Sequence, residues 1–261
     1  MNRLDDNKIK YLSRILFAIG FIVIWQILYS LKIWPEILFP SPVKVCLAFY
    51  KAIFNKGLLP MVLHSLWLLL KGLALGILVA FFLSAFSLSN KLFYSAYDMV
   101  VSTFDLIPGI ALIPIAILWM GIGDEAIIFM VFHSVVWPLS RSILDGFKEV
   151  PKLYVEVGKN IGLTGMRLIT GVYLPATLPK IFSGVKVGWA RAWRGLISAE
   201  MVFGGGSALG IGYFITDRRT NLDIAGILAA ILVIIIIGIL VEHGVFNTIE
   251  KMTLKKWGMI Q

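Results

Sequence analysis

The chain has 261 residues, of which 59% are hydrophobic and only 15% charged, and its mean hydropathy is +0.88. That balance excludes a soluble globular domain, and a single cysteine, Cys46, excludes an internal disulfide and any multi-cysteine metal site. The formal net charge of +9 does not point to nucleic acid, because the cations form no basic stripe with stacking aromatics. They flank apolar runs, which is how a chain is oriented against an anionic lipid leaflet.

A helix needs about 20 mainly apolar residues to cross the hydrocarbon. Ile15–Leu31 is the first such run. It is too long for the apolar core of a signal peptide and no small-x-small cleavage site follows, so it reads as a retained span. Pro35, Pro40 and Pro42 then break the helix, and Val43–Phe54 reads as a short amphipathic helix on the outer surface, with Lys44 and Lys51 on its polar side. Met61–Leu88 is the second span, where Gly72 and Gly76 form a small-xxx-small pair suited to close helix approach. After a polar hairpin at Ser89-Asn90-Lys91, the third span, Leu92–Met120, is expected to break at Pro108-Gly109 and again near Pro114.

Gly121–Asp124 is the next turn, and Glu125–Leu144 the fourth span, with Pro138 near its inner end. Asp145–Pro175 is a polar insert that reads as helix, turn, helix: Pro151 opens the first helix, Gly162-Leu163-Thr164-Gly165 supplies the turn, and Met166–Tyr173 begins the second. The fifth span, Thr177–Met201, ends at Gly204–Gly206. A polar loop carrying Asp217, Arg218, Arg219, Asn221 and Asp223 leads to the sixth, Ile224–Val241. The alternation places Arg141, Lys148, Lys152, Lys159, Arg167 and the terminal cations on one side. Lys32, Lys44, Lys51, Lys56, Arg218 and Arg219 lie on the other. The bias favours both termini and the insert inside. Residues 1–261 therefore read as one all-α, six-span membrane domain, with no linker and no separate soluble domain.

Catalytic patterns are weak. His64, His133 and His243 lie in three different segments without metal-ligand spacing, and Gly204–Ser207 lacks the Lys-Ser/Thr of a phosphate loop. Charged residues inside spans are costly and face protein or a wet cavity. Arg191 and Arg194, near Trp189 and Trp193 and upstream of Glu200, form a cationic wall for an anionic substrate or a structural pairing, for example Arg194 with Glu200 or Asp105, or one of them snorkels near a helix end. Asp98 and Asp105, seven apart on one face, are candidate partners; His133 and Trp137, four apart, are candidates to line the same passage.

The insert carries a recognisable pattern. Glu156, Val157-Gly158, Gly162, Val172 and Leu174-Pro175 stand at the spacing of the EAA signature, and the chain thereby resembles the permease subunits of ABC transporters. Val157-Gly158 replace the usual Ala-Ala and Val172 the usual Ile. FPSP at 39–42, Gly72 and Gly76, IPGIALIPIAILWMGIG at 107–123, WRGLISAEM at 193–201 and GIGYFI at 210–215 extend the likeness to the nitrate, taurine, sulfonate and bicarbonate importers. Where that subfamily commonly has Arg, this chain has Leu68, with Lys71 three residues on, on the same expected face.

The resemblance implies a type I importer fold in the bacterial inner membrane, with the insert as the surface that docks on a cytoplasmic ATPase dimer. Glu156, Gly158, Gly162, Leu163, Gly165, Leu174 and Pro175 would make that contact. It also implies an external solute-binding protein, a second permease copy, and no cofactor bound directly, ATP-Mg being held by the ATPase. A small anion is the expected solute. Two alternatives stay open: a heterocyclic vitamin precursor carried by the same mechanism, and a membrane-embedded transferase, which would need acids or histidines clustered at one depth. A secondary transporter would be expected to show internal repeats, and none is evident.

Overall fold

The computed structural model describes residues 3–55, 57–203 and 209–255, and among them every regular element is helical. Gly204–Ser207, set by the sequence beyond the fifth span, lie outside the described residues, as do Lys56 and Lys256. Five helices are long and apolar enough to cross a membrane, and there are six spans if one bent pair counts as a single crossing. The chain forms two compact units.

The first unit comprises Met1–Pro60 and Phe214–Ile236. Its α1 (Arg3–Ser30) has no buried residue in the apolar stretch Leu12–Ser30, as suits a helix facing lipid. The Trp25 indole N–H donates to the Pro40 carbonyl at 3.0 Å. Next, α2 (Pro42–Phe54) starts where expected: the Ser41 hydroxyl accepts the Lys44 N–H at 3.2 Å, and Pro42 occupies the first turn, where its missing N–H is harmless. Glu36 accepts the Tyr29 hydroxyl at 2.9 Å and pairs with Lys44.

The segment expected as a polar loop around Asp217 is in fact mostly helix. Ile211–Thr220 is α10 in the numbering used here, which follows chain order, and it ends where Asn221 bonds back to the Asp217 carbonyl and Leu222 turns to φ +54. Polarity marks water, and a solvated helix is as polar as a loop. Arg218 bridges Asp217 (3.2 Å) and Asp223 (3.6 Å), and Asp223 accepts the Gly226 N–H at 2.9 Å to open α11 (Ile224–Leu240).

The second unit comprises Met61–Tyr213 and Ile237–Gln261. It takes most of α3 (Leu58–Ser89), separated from α4 (Lys91–Phe104) by Asn90 alone, whose side chain accepts the N–H groups of Leu92 and Phe93 at 3.0 and 3.2 Å. The third span breaks once rather than twice. Its two halves meet at 94° across residues 105–108. A 3₁₀ turn, Gly109–Leu112, leads into α5 (Ile113–Met120), and Pro114 sits in the first turn of α5, where it interrupts nothing.

The centre of this unit is the pair α6 (Asp124–Lys148) and α9 (Leu174–Phe203), both longer than the spans read from the sequence. In lipid no hydrophobic effect drives helices together, so close packing must do so, and small residues permit it. A Cβ on Gly184 would lie 2.5 Å from Ser142 Cβ, and one on Gly146 3.3 Å from Thr177 Cβ. On the other side of α6, Gly76 admits Val135 at a Cβ separation of 2.8 Å and Gly72 admits Val131, so the small-xxx-small pair serves this seam. Ala80, Val136, Leu139, Ile143 and Ile181 form the buried core. Leu68 is fully buried while Lys71 is exposed over the Trp67 ring, 4.9 Å from its centre, so the two do not share a face as expected.

Past Leu240 the last span continues, beyond its expected end at Val241, through a π-helical stretch (Val241–Phe246), α12 (Asn247–Glu250) and a further π turn (Lys251–Lys255). Lys186 of α9 holds it through Glu250 at 3.0 Å and Glu242 at 3.6 Å.

Candidate functional site

The break in the third span opens a cavity of about 410 Å³. Residues 104–110 form one wall, α6 contributes His133, Ser134, Trp137 and Pro138, and α9 contributes Arg191, Arg194, Gly195 and Ser198. Helical spacing explains the groupings: 133 and 137 lie four apart, while 191, 194 and 198 lie three and four apart, each set on one helix face. A Cβ on Gly195 would meet Ser134 Oγ at 3.1 Å, so glycine here lets α9 close on α6 beside the cavity.

Three side chains of the cavity, Trp137, Arg191 and Arg194, can only donate. Arg191 pairs with Asp105, whose other oxygen lies 3.5 Å from Arg141 Nε. Arg194 Nε donates to the Ala190 carbonyl of its own helix at 3.1 Å, and no carboxylate among the described residues pairs with its guanidinium. Among the described residues the indole N–H of Trp137 and Nε2 of His133 have no hydrogen-bond partner, although His133 is only 7% exposed. Trp137 lies 5.0 Å from the Phe104 ring and 6.0 Å from His133. An indole N–H and a guanidinium donate and never accept, so the matching occupant is an acceptor.

Of the seven residues expected along a substrate path, five meet here: Asp105, His133, Trp137, Arg191 and Arg194. Trp193 is buried, stacked on Trp189 at 6.2 Å, and does not line the cavity. Glu200 is fully buried elsewhere. It accepts the Ser65 hydroxyl at 2.6 Å and the Gly212 N–H at 2.8 Å, while Ser65 Oγ accepts the Ile211 N–H at 3.0 Å. Neither residue pairs with Arg194, and Asp98 lies 3.4 Å from Lys148. Ser134 and Ser198 line the cavity without any signal in their local sequence, and Arg141, read from the sequence only as an inner-side cation, reaches Asp105 from outside the lining.

The insert is built around one helix end. Pro151 precedes α7 (Lys152–Asn160), which closes with Gly162 N–H on the Lys159 carbonyl (2.9 Å) and Leu163 N–H on the Gly158 carbonyl (3.0 Å). These paired bonds form a Schellman motif with Gly162, at φ +86°, in its left-handed position. Gly158 is a contact point: its Cβ would fall 2.8 Å from Val172 Cγ2 and 2.9 Å from Leu168 Cδ1. Thus α7 lies against the returning segment, α8 (Gly165–Leu168) and the π turn Ile169–Tyr173, which runs into α9 at Leu174-Pro175. A groove of about 1060 Å³ lies between α7 and the start of α9. Glu156 is exposed beside an unusually apolar surface, with Leu153, Tyr154, Val157, Ile161 and Met166 all exposed.

Spans, broken helix and insert together define a membrane transport component. Residues 72–247 match the family described as the binding-protein-dependent transport system inner membrane component, and the chain belongs to it. Among curated relatives, the nitrate import permease protein NrtB of Synechocystis sp. is 30% identical over 85% of this chain and 82% of its own length. The bicarbonate transport system permease protein CmpB of the same organism is 28% identical, covering 87% and 83%. SsuC of Bacillus subtilis, named for aliphatic sulfonates transport, is 27% identical over 95% and 88%. The protein is a multi-pass permease subunit of an importer, as the resemblance implied.

Proposed function

We propose that this subunit carries a small anion and couples its passage to a separate ATPase through the insert. The donor-only groups of the cavity support the anion: an occupant facing Arg194 and the Trp137 N–H must accept hydrogen bonds and balance positive charge. Similarity to proteins named for nitrate, bicarbonate and sulfonates agrees. A neutral heterocyclic precursor could accept the same hydrogen bonds but would leave the charge of Arg194 unbalanced, and among the described residues no group of histidines, cysteines and acids favours a metal-dependent transferase.

The exposed apolar surface of α7, with Glu156 beside it, supports docking on the ATPase, which would hold ATP-Mg. A second copy of the permease completes the pathway, and an external binding protein delivers the solute. The insert and both termini face the cytoplasm of a bacterial cell, a side favoured by Lys152, Lys159 and Arg167. ATP binding closes the ATPases, the insert moves with them, and α9, continuous with it, changes which side the cavity opens to.

The complete transporter in liposomes tests both halves. Arg194→Gln is expected to lower uptake of its anion about tenfold or more, the scale of one charge-assisted hydrogen bond. Uptake of a neutral solute, untouched by that change, would overturn the anion. Gly162→Asp is expected to abolish ATP-driven uptake with normal insertion. Among the described residues nothing lies within 4 Å of a Cβ there. At φ +86°, however, a side chain strains the turn that ends α7, so the loss would come from a distorted docking turn as well as from the partner contact. Full uptake in a well-inserted variant would remove the insert from the mechanism.

A further inference from the structure

The cavity holds its own anion. Asp105 follows the last residue of α4, where carbonyls at a helix C-terminus already make the potential negative, and stands at the start of the 94° break. Its side chain is only 13% exposed, and its two oxygens serve different helices: Oδ1 takes Arg191 Nη1 from α9, and Oδ2 lies 3.5 Å from Arg141 Nε on α6. Arg141 is not part of the cavity lining, whereas Arg191 is.

We propose that Asp105 is an exchangeable counter-anion, which occupies Arg191 at rest and yields it to the travelling anion while Arg141 retains the carboxylate. A sole partner could not be given up cheaply, because releasing it would leave a poorly solvated charge unpaired. With two arginines on separate oxygens, one contact opens and the other persists. Arg194, three residues along the same face and without a carboxylate partner among the described residues, offers the first landing point. Arg191 then becomes available beside it. Asp105 thus determines how strongly the cavity holds its cargo, and its removal makes the site a tighter trap for anions. This inference rests on the anion reading of the cavity.

Trp137 reports on it directly. The complete transporter in nanodiscs is titrated with iodide and, separately, with acrylamide, and the Trp137 signal is isolated from the eight tryptophans of the chain by subtracting Trp137→Phe. In Asp105→Asn, iodide quenching of Trp137 is expected to rise roughly fourfold or more, and in an Arg191→Gln background the same change is expected to add far less. Removing one charge about 5 Å away gives roughly fourfold even at the dielectric constant of water, with or without exchange, so dependence on Arg191 is what marks the exchange. Acrylamide quenching stays as in the wild type. A rise for both quenchers means that the break has merely opened, no change means that Asp105 is not exchanged, and a rise undiminished without Arg191 means plain electrostatics; each of these results overturns the proposal. Arg194→Gln separates it from the reading beneath it. If wild-type iodide quenching does not depend on Arg194, the anion cavity itself fails. If it does, and Asp105→Asn changes nothing, only the exchange fails.

Discussion

Two carboxyl groups of the second unit, Glu200 on α9 and Asp105 at the break after α4, are satisfied in opposite ways. Glu200 is fully buried and held by neutral donors, the Ser65 hydroxyl and the Gly212 N–H, with no ion-pair partner among the described residues. The chain is moulded around it: a Cβ at Gly210 would overlap the carboxylate, and one at Gly212 would lie 2.5 Å from the Ile197 carbonyl. Asp105 instead sits at a helix break beside a cavity, shared between two arginines that are each about 40% exposed. Glu200 ties the start of α10 to α3 and α9 through atoms that have no freedom to move. Asp105 is held by long side chains that can exchange partners. A carboxyl group at membrane depth is thus a sign of function where its partners are mobile cations facing space, and a sign of architecture where they are fixed dipoles.

The largest expected effect tests the architectural half. Glu200→Ala leaves the Ser65 hydroxyl and the Gly212 N–H without their acceptor and should destabilise the subunit by about 3 kcal/mol, read as a lower melting temperature in detergent. Unchanged melting would mean that Glu200 belongs with the mobile groups. Asp105→Asn should cost about 1 kcal/mol or less in the same assay, because its arginine partners remain half in solvent. Its signature is anion access rather than stability.

The smallest effect belongs to Glu36, outside the spans. Its pKa is lowered by the Lys44 hydrogen bond first and the Tyr29 hydroxyl second. Whatever stability it adds is therefore present above the ordinary carboxylate range and lost as pH falls through the lowered value. The pair is exposed, so Glu36→Gln should leave the melting temperature at neutral pH unchanged. A clear drop would show that an exposed pair can rival Glu200 and would blur the distinction.

The spans were legible because apolar length is a property of neighbouring residues, and Asn90, Ser41 and Pro42 mark helix starts by local chemistry alone. The turn of the insert was legible for the same reason, since Gly162 acts through its own backbone angle, whereas Gly158 acts by admitting Leu168 and Val172 from the returning segment. The second break expected at Pro114 was misread, since proline ends a helix or begins one depending on where the preceding turn stops. The loop expected at Asp217 was misread because polarity reports solvent and not backbone shape.

Amino-acid order by itself determined that this chain crosses the membrane repeatedly, where its polar insert falls, and which family it resembles, since each depends on residues close together along the chain. Only the tertiary structure decided which charges meet. Asp105 reaches Arg191 across 86 positions and Ser65 reaches Glu200 across 135. Amino-acid order left Glu200, on the same helix, and Asp105, on another, as candidate partners of Arg194, and neither takes it. Partners at such separations are chosen by how α3, α6 and α9 pack through Gly72, Gly76 and Gly184, and that choice settles which arginine is bound and which still faces the cavity.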